Sequence, residues 1–234
     1  CHARRSRSST SVTAVAAMAR VAERIQDHRS LVDALEKQLA TAPPEERAAR
    51  CVRIAEVWTK QLGEPEKALT HLATALYAAP RDRAALELQA SLLQDAGRWQ
   101  ELCVNLEAQA AIARSPLEAH ALWTQIARLH DEHHLDPDGA ARAWRRVTEL
   151  VPEDRPALKR LRAVLRAQER WAEEVSVLRR LADLTRDAAK CARLCVQRGR
   201  VLEERLEDLP AARGAYGEAV RADGTLREAH EGLV

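Results

Sequence analysis

An all-α protein built as a solenoid of repeated helix hairpins is what this sequence predicts, on three observations. The first is composition: Ala, Leu, Arg and Glu dominate, and all are strong helix formers. The second is what is scarce. With 8 Gly and 9 Pro in 234 residues, no Phe and no β-branched runs, the chain lacks the turns and strands of an all-β protein. The third is self-similarity at a fixed offset of 72 positions. "GRWQEL" around Trp99 answers to "ERWAEE" around Trp171, and Pro80 to Pro152, with Gly224 as a third copy. Ala68, Ala140 and Ala212 share a place, as do Val57, Leu129 and Val201, then Leu72, Trp144 and Tyr216, then Ala75, Val147 and Ala219. Leu86 pairs with Leu158 and Leu93 with Leu165. No gap is needed over most of the chain, which marks a repeat architecture.

Taken in order, residues 1–12 ("CHARRSRSSTSV") form a basic, Ser-rich flank, expected to be disordered or a cut end. A lipoprotein-type Cys1 and a transit peptide are the alternatives there. Beyond the flank, each 72-residue unit splits into two hairpins of about 36 residues, a usual length for a two-helix repeat. Counting in that step gives hairpin starts near 13, 49, 85, 121, 157 and 193, an array over 13–228, and a truncated further repeat over 229–234. In the hairpin from 49, Cys51, Ile54, Ala55 and Trp58 recur at helical spacing on one face. "GEP" then breaks the helix, Ala68, Leu72, Ala75 and Tyr77 open a second one, and Pro80 stops it. The hairpin from 85 carries Leu86, Ala90, Leu93, Gly97, Leu102 and Leu106 in a looser register, since Gln89 stands where Leu is expected. The hairpin from 121 places Trp123, Ile126, Ala127 and His130 on its first helix and Ala140, Trp144 and Val147 on its second, ending at Pro152. A small residue at the shared place of Ala55, Ala127 and Gly199 lets two helices approach closely.

These positions resemble the tetratricopeptide repeat (TPR) family. Its pattern has a large residue, Leu, a small residue and an aromatic on the first helix, then Ala, a bulky residue, Ala and Pro on the second. Here the inter-helix spacing is one residue longer than the family norm. The resemblance covers nearly the whole chain after residue 12. It implies a right-handed solenoid of about six repeats, with the first helix of each hairpin lining a concave surface.

The stretch "LHDEHHLDPDGAARAW" holds His130, His133 and His134 around Asp131 and Glu132. A helical His pair at i and i+4 with a carboxylate is a zinc-site pattern. Yet the register sets His130 against Trp58 and Leu202, and His134 against Leu62 and Leu206, so packing histidines are expected and no metal. The five cysteines, Cys1, Cys51, Cys103, Cys191 and Cys195, form no C-x-x-C, which reads as reduced thiols in a cytoplasmic setting. Cys195 shares the place of Cys51 and Trp123, a core position. Trp58, Trp99, Trp123, Trp144 and Trp171 are expected in packing roles rather than in a base-stacking or ligand cage. No Gly-rich phosphate loop, G-x-S-x-G or HExxH motif is present, and Glu173-Glu174 and Glu203-Glu204 read as solvated faces. Neither an enzyme nor a cofactor is expected.

Charge bounds the partners. The chain has 37 basic and 35 acidic residues, net +2, and three of the basic ones lie in the flank, so the body is balanced. That argues against nucleic acid as the partner. No apolar run approaches the roughly 20 residues that span a bilayer, so no membrane insertion is expected. On the family's geometry the groove positions are Lys60, Gln94, Arg128, Asp131, Glu132, Lys159, Arg166, Arg200, Glu203 and Glu204. Arg128 and Arg200 are equivalent, and an Arg offers a bidentate site to a carboxylate. Val52 with Glu56, Thr124 with Arg128, and Val196 with Arg200 stand where chaperone-tail-binding members hold a carboxylate with Lys and Asn, which argues against that role. The reading is a protein-interaction scaffold that takes a peptide or helix, acidic partners included, in its groove. An RNA-processing helical repeat of the half-a-TPR type, or the appendage of an enzyme or regulator, are the alternatives.

Overall fold

A computed structural model describes residues 14–133 and 135–233; the flank 1–12 and His134 lie outside the described residues. Thirteen α-helices and no strand are found among them. Residues 14–24 form α1, followed by α2 (His28–Ala40), α3 (Pro44–Val57), α4 (Pro65–Ala78), α5 (Arg83–Asp95) and α6 (Trp99–Ala111). Then come α7 (Pro116–His133), α8 (Pro137–Leu150), α9 (Arg155–Ala167), α10 (Trp171–Asp183), α11 (Ala188–Glu204), α12 (Leu209–Ala222) and the short α13 (Arg227–Glu231). Trp58–Leu62 extends α3 by a π-helical turn. Within each unit consecutive helices pack against one another, from α2 to α6 and from α7 to α13. The chain forms two compact units, one ending at Ile112 and the other beginning at Ala113.

The 72-residue register holds to the residue. Pro44, Pro116 and Ala188 open equivalent helices 72 apart, as do Pro65, Pro137 and Leu209, then Arg83, Arg155 and Arg227, then Trp99 and Trp171. The even split into 36-residue hairpins does not hold. Hairpin starts alternate in steps of 39 and 33 residues, because first helices of 18 and 17 residues (α7, α11) alternate with first helices of 13 (α5, α9). The helices from Pro44, Pro116 and Ala188 also begin five residues before the positions expected near 49, 121 and 193. Their first turns are set by caps rather than by apolar periodicity. Pro sits at N1 or N2 of α3, α4, α8, α9 and α12, where its missing N–H costs nothing. Asp27, Asp82, Asp136, Asp154, Asp187 and Asp208 cap α2, α5, α8, α9, α11 and α12 through their side chains.

In the hairpin from 49 the core follows the expected pattern with one exception. Ile54, Ala55, Ala68, Leu72 and Ala75 are fully buried, and so are Ile126, Ala127 and Val147 in the next copy. Tyr77 is the exception: it is 91% exposed, because the helical period that buries residues 68, 72 and 75 turns position 77 outward. Gly199 takes the small position in α11. A Cβ there would stand 2.6 Å from the Tyr216 ring, so this Gly is what admits the aromatic of α12. Turns between helices reuse a left-handed residue at equivalent places: Gly63 (φ 65°) and Glu207 (φ 53°), and Gly97 (φ 67°) and Glu169 (φ 56°).

Candidate functional site

In the second unit, one face of α7 carries His120, Thr124, Arg128 and Asp131, spaced by three or four residues. Opposite them stands the first turn of α9. Between the two lies a groove of about 780 Å³ whose lining brings together four of the groove positions read from sequence, Arg128, Asp131, Glu132 and Lys159, and adds Arg160. Arg128, Lys159 and Arg160 are exposed, and among the described residues none of them has an ion-pair partner. Asp154 fixes the floor: it caps α9 by accepting from the Ala157 N–H (2.9 Å) and contacts the His120 Nε2 (3.0 Å). Neither His120, Asp154 nor Arg160 was singled out by the sequence reading. Two signals existed: Asp154 precedes a helix-opening Pro156, and His120 replaces Ala48 and Ala192 in the register.

A second hollow, about 340 Å³, lies among α9, α10 and α11 and brings Arg166 together with Arg200, beside Arg162, Arg205 and Glu204. Two of its cations are held from within. Arg162 Nε donates to Glu174 Oε1 (3.1 Å), a carboxylate that is fully buried and not on the solvated face the sequence predicts, because this guanidinium compensates its charge, and Arg205 lies over the Trp171 ring at 5.0 Å. Arg166 has no ion pair among the described residues, whereas Arg200 Nη2 pairs with Glu228 Oε2 on α13 (3.1 Å). Lys60 and Gln94 belong to the first unit. Lys60 pairs with Glu56 (3.3 Å) on its own helix, and Gln94 is exposed near the end of α5.

Two predicted groove acids also serve the interior. Asp131 Oδ2 accepts from Trp144 Nε1 (3.0 Å), and Glu203 Oε2 accepts from the Tyr216 hydroxyl (2.7 Å). Asp131 and Glu203 are register equivalents, as are Trp144 and Tyr216, so one device recurs: a buried ring on the second helix is satisfied by an acid on the first. Burial, then the hydrogen bond to Glu203 and that carboxylate's charge, hold the Tyr216 phenol well above its ordinary pKa.

The half-buried His130 lies over Gly139, where a Cβ would stand 2.5 Å from its ring. The equivalent pair in the first unit is Trp58 with Lys67, whose ammonium sits 4.3 Å above the indole. Among the described residues no three His, Cys, Asp or Glu side chains converge as a metal site would require; His134 lies outside them. Cys51, Cys103, Cys191 and Cys195 are free thiols. Burial pushes Cys103 and Cys195 up to about 11. Trp58 and Trp144 are buried, and the partly exposed Trp123 carries Arg146 over its ring at 5.9 Å. No described helix is long and apolar enough to cross a membrane.

No protein-family model and no curated protein matches the sequence. Solved structures do. The chain is similar to part of the structure of Naa15/Naa10 bound to HypK-THB, at 13% identity and a TM-score of 0.53, over 95% of this chain and 33% of that one. It is similar to a tetratricopeptide repeat protein from Parabacteroides merdae, at 14% identity and a TM-score of 0.44, over 96% of this chain and 98% of that one. YrrB, described as a TPR protein with an unusual peptide-binding site, matches at 16% identity and a TM-score of 0.39, over 86% of this chain and 97% of that one. At these identities the likeness is one of fold, and the fold is an all-α helical repeat.

Proposed function

We propose that this TPR-like helical repeat is a non-catalytic interaction scaffold whose first helices α7, α9 and α11 bind an acidic peptide segment of a partner protein. The observation that carries the reading is the set of cations with no ion-pair partner among the described residues, Arg128, Lys159, Arg160 and Arg166, distributed over the two hollows along these helices. An ionised side chain in a concave site favours an opposite charge, and Arg can take a carboxylate bidentately. The free thiols suit a reducing, cytoplasmic setting.

The test is fluorescence anisotropy with a labelled Glu/Leu peptide and its Gln/Leu counterpart. The acidic peptide should bind and the neutral one should not. Replacing Arg128 and Lys159 together with Ala should cost about 2–4 kcal/mol of binding, since charge-assisted bonds contribute about 1.5–3 kcal/mol each where well formed and less where solvated. The melting temperature should stay within the small range of surface substitutions. Affinity should fall as salt rises. Equal affinity for both peptides, or indifference to the double substitution, would remove the reading.

A further inference from the structure

The register supplies an internal control for each surface of the chain. In the second unit, the cleft between the outer helices α8 and α10 is closed by two arginines. Arg180 Nη2 donates to the carbonyls of Thr148 (3.0 Å) and Pro152 (3.3 Å), and Arg145 pairs with Glu173. The Thr148 carbonyl gains from that donor, because Pro152, four residues on, has no N–H to give it. Glu173 takes two guanidinium groups, from Arg145 and Arg170.

The equivalent cleft of the first unit, between α4 and α6, keeps the same frame. Pro80 answers to Pro152, Glu101 to Glu173 and Arg98 to Arg170. Arg98 again engages the carboxylate, at 2.7 Å through both Nε and Nη2. Both cleft-closing arginines, however, are alanines here: Ala73 stands for Arg145 and Ala108 for Arg180. The cleft is accordingly open. A groove of about 420 Å³ is lined by Leu76, Pro80, Val104 and Ala108, with Val104 69% exposed at its rim. A hollow of about 240 Å³ lined by Ala73 shares Gln89, Leu93 and Glu101 with that groove.

The floor departs from the copy as well. Where α9 and α10 pack Leu161, Val177 and Leu181, α5 and α6 carry Gln89, Asn105 and Gln109. Asn105, 4% exposed, donates to Gln89 Oε1 (2.7 Å) and accepts from Gln109 Nε2 (2.8 Å). Burying amides is costly unless they are bonded, and the copy shows that aliphatic side chains fill these places in the same fold. Packing alone therefore does not call for the amides, and Gln89 and Asn105 both face the groove lining.

We propose that the α4–α6 groove binds an arginine-bearing segment of a partner protein, whose guanidinium takes the place that Arg180 fills in the second unit. The Leu76 and Pro80 carbonyls and the Glu101 carboxylate correspond to the acceptors that Arg180 and Arg145 use in the copy. The apolar wall formed by Leu76, Val104 and Leu93 covers the methylene stem, and the amide floor adds planar acceptors. Lys fits less well, because a guanidinium offers several donors in one plane and an ammonium acts as a point charge. The site takes the charge opposite to that of the groove on α7, α9 and α11, and it does not depend on that groove.

The test uses the full chain and a labelled Arg/Leu peptide, with Lys/Leu and Glu/Leu peptides as comparators. The Arg peptide should bind, and the Lys peptide should bind at least about fivefold more weakly. Ala73→Arg with Ala108→Arg fills the groove as the copy does. It should weaken Arg-peptide binding by about tenfold or more, raise the melting temperature, and leave Glu-peptide binding unchanged. Glu101→Gln, an exposed change that leaves the helices intact, should weaken the Arg peptide by about threefold and serves if the double variant fails to fold. Arg128→Ala with Lys159→Ala should leave the Arg peptide unaffected. Equal binding of Arg and Lys peptides would overturn the proposal. So would Arg-peptide binding unchanged in the filled variant, or in Glu101→Gln.

Discussion

Arg128 and Arg200 occupy one place in successive copies, and a single neighbour separates them. Arg200 pairs with Glu228 across the next first helix, whereas Arg128 faces Pro156, the register equivalent of Glu228. Supplying the missing acid should engage Arg128 as Arg200 is engaged. Pro156→Glu is therefore expected to weaken acidic-peptide binding in anisotropy titrations by about 1 kcal/mol, through competition and added negative charge. A second residue-scale expectation concerns the thiols. Cys103 and Cys195 keep their protons to about 11 in the folded chain, against an ordinary 9.0. Between those values the unfolded chain binds fewer protons than the native one, so stability falls as pH rises through that window, by up to about 1.4 kcal/mol per pH unit for each thiol. Urea midpoints measured from pH 8 to 11 should drop, and drop less in a Cys103→Ala, Cys195→Ala variant. The pairing of Arg200 with Glu228 was not legible in sequence, because it joins residues on different helices. The equivalence of Arg128 and Arg200 was legible, because it is a matter of register alone.

At the scale of the element, the turns carry a cost that the register exposes. Glu169 stands in the left-handed region where its equivalent is Gly97, and Glu207 where its equivalent is Gly63. A side chain at positive φ is strained where Gly is not, so Glu169→Gly should raise stability by about 0.5–1 kcal/mol in thermal melts, against the usual penalty of Gly. Helical glycines divide by packing. Gly199→Ala drives a methyl group into the Tyr216 ring and should cost about 1–3 kcal/mol. Gly214→Ala on α12 meets nothing within 4 Å and should stabilise by about 0.5–1 kcal/mol. The close-packing position of Gly199 was readable from its alignment with Ala55 and Ala127. The helix starts were misread by up to five residues. An N-terminal turn made of Pro, Asp and solvated residues leaves no trace in apolar periodicity, and only the cap chemistry at Pro44, Pro116 and Asp187 marks it.

For the whole chain, the fold was legible because it is written several times. Equivalent helices start 72 residues apart, so the double hairpin is the true repeat and the single hairpin is not. Removing residues 116–187 deletes one complete double repeat and joins α6 to α11 in the phase in which α10 meets α11. Circular dichroism of that variant should keep its helical signal per residue and a cooperative melt, since repeat stability is a sum of local and nearest-neighbour terms. A deletion of 36 residues from the same start should lose both, because it breaks the alternation of long and short hairpins. The candidate site was half legible. Repetition, with the family's geometry, marks where first helices expose side chains, as at Arg128, Lys159, Arg166 and Arg200. Departures from repetition mark what is particular to one copy, such as His120 for Ala, Pro156 for Glu and Ala108 for Arg, and those required the packing to interpret.

The central claim, that α7, α9 and α11 receive an acidic segment, is tested most directly by amide chemical-shift mapping of the labelled chain during titration with the Glu/Leu peptide. The account predicts saturable shifts concentrated at Arg128, Lys159, Arg160 and Arg166 and at the first turn of α9, abolished by Arg128→Ala with Lys159→Ala and reduced at high salt. Shifts confined to other surfaces, or persisting unchanged in the double variant, would contradict it.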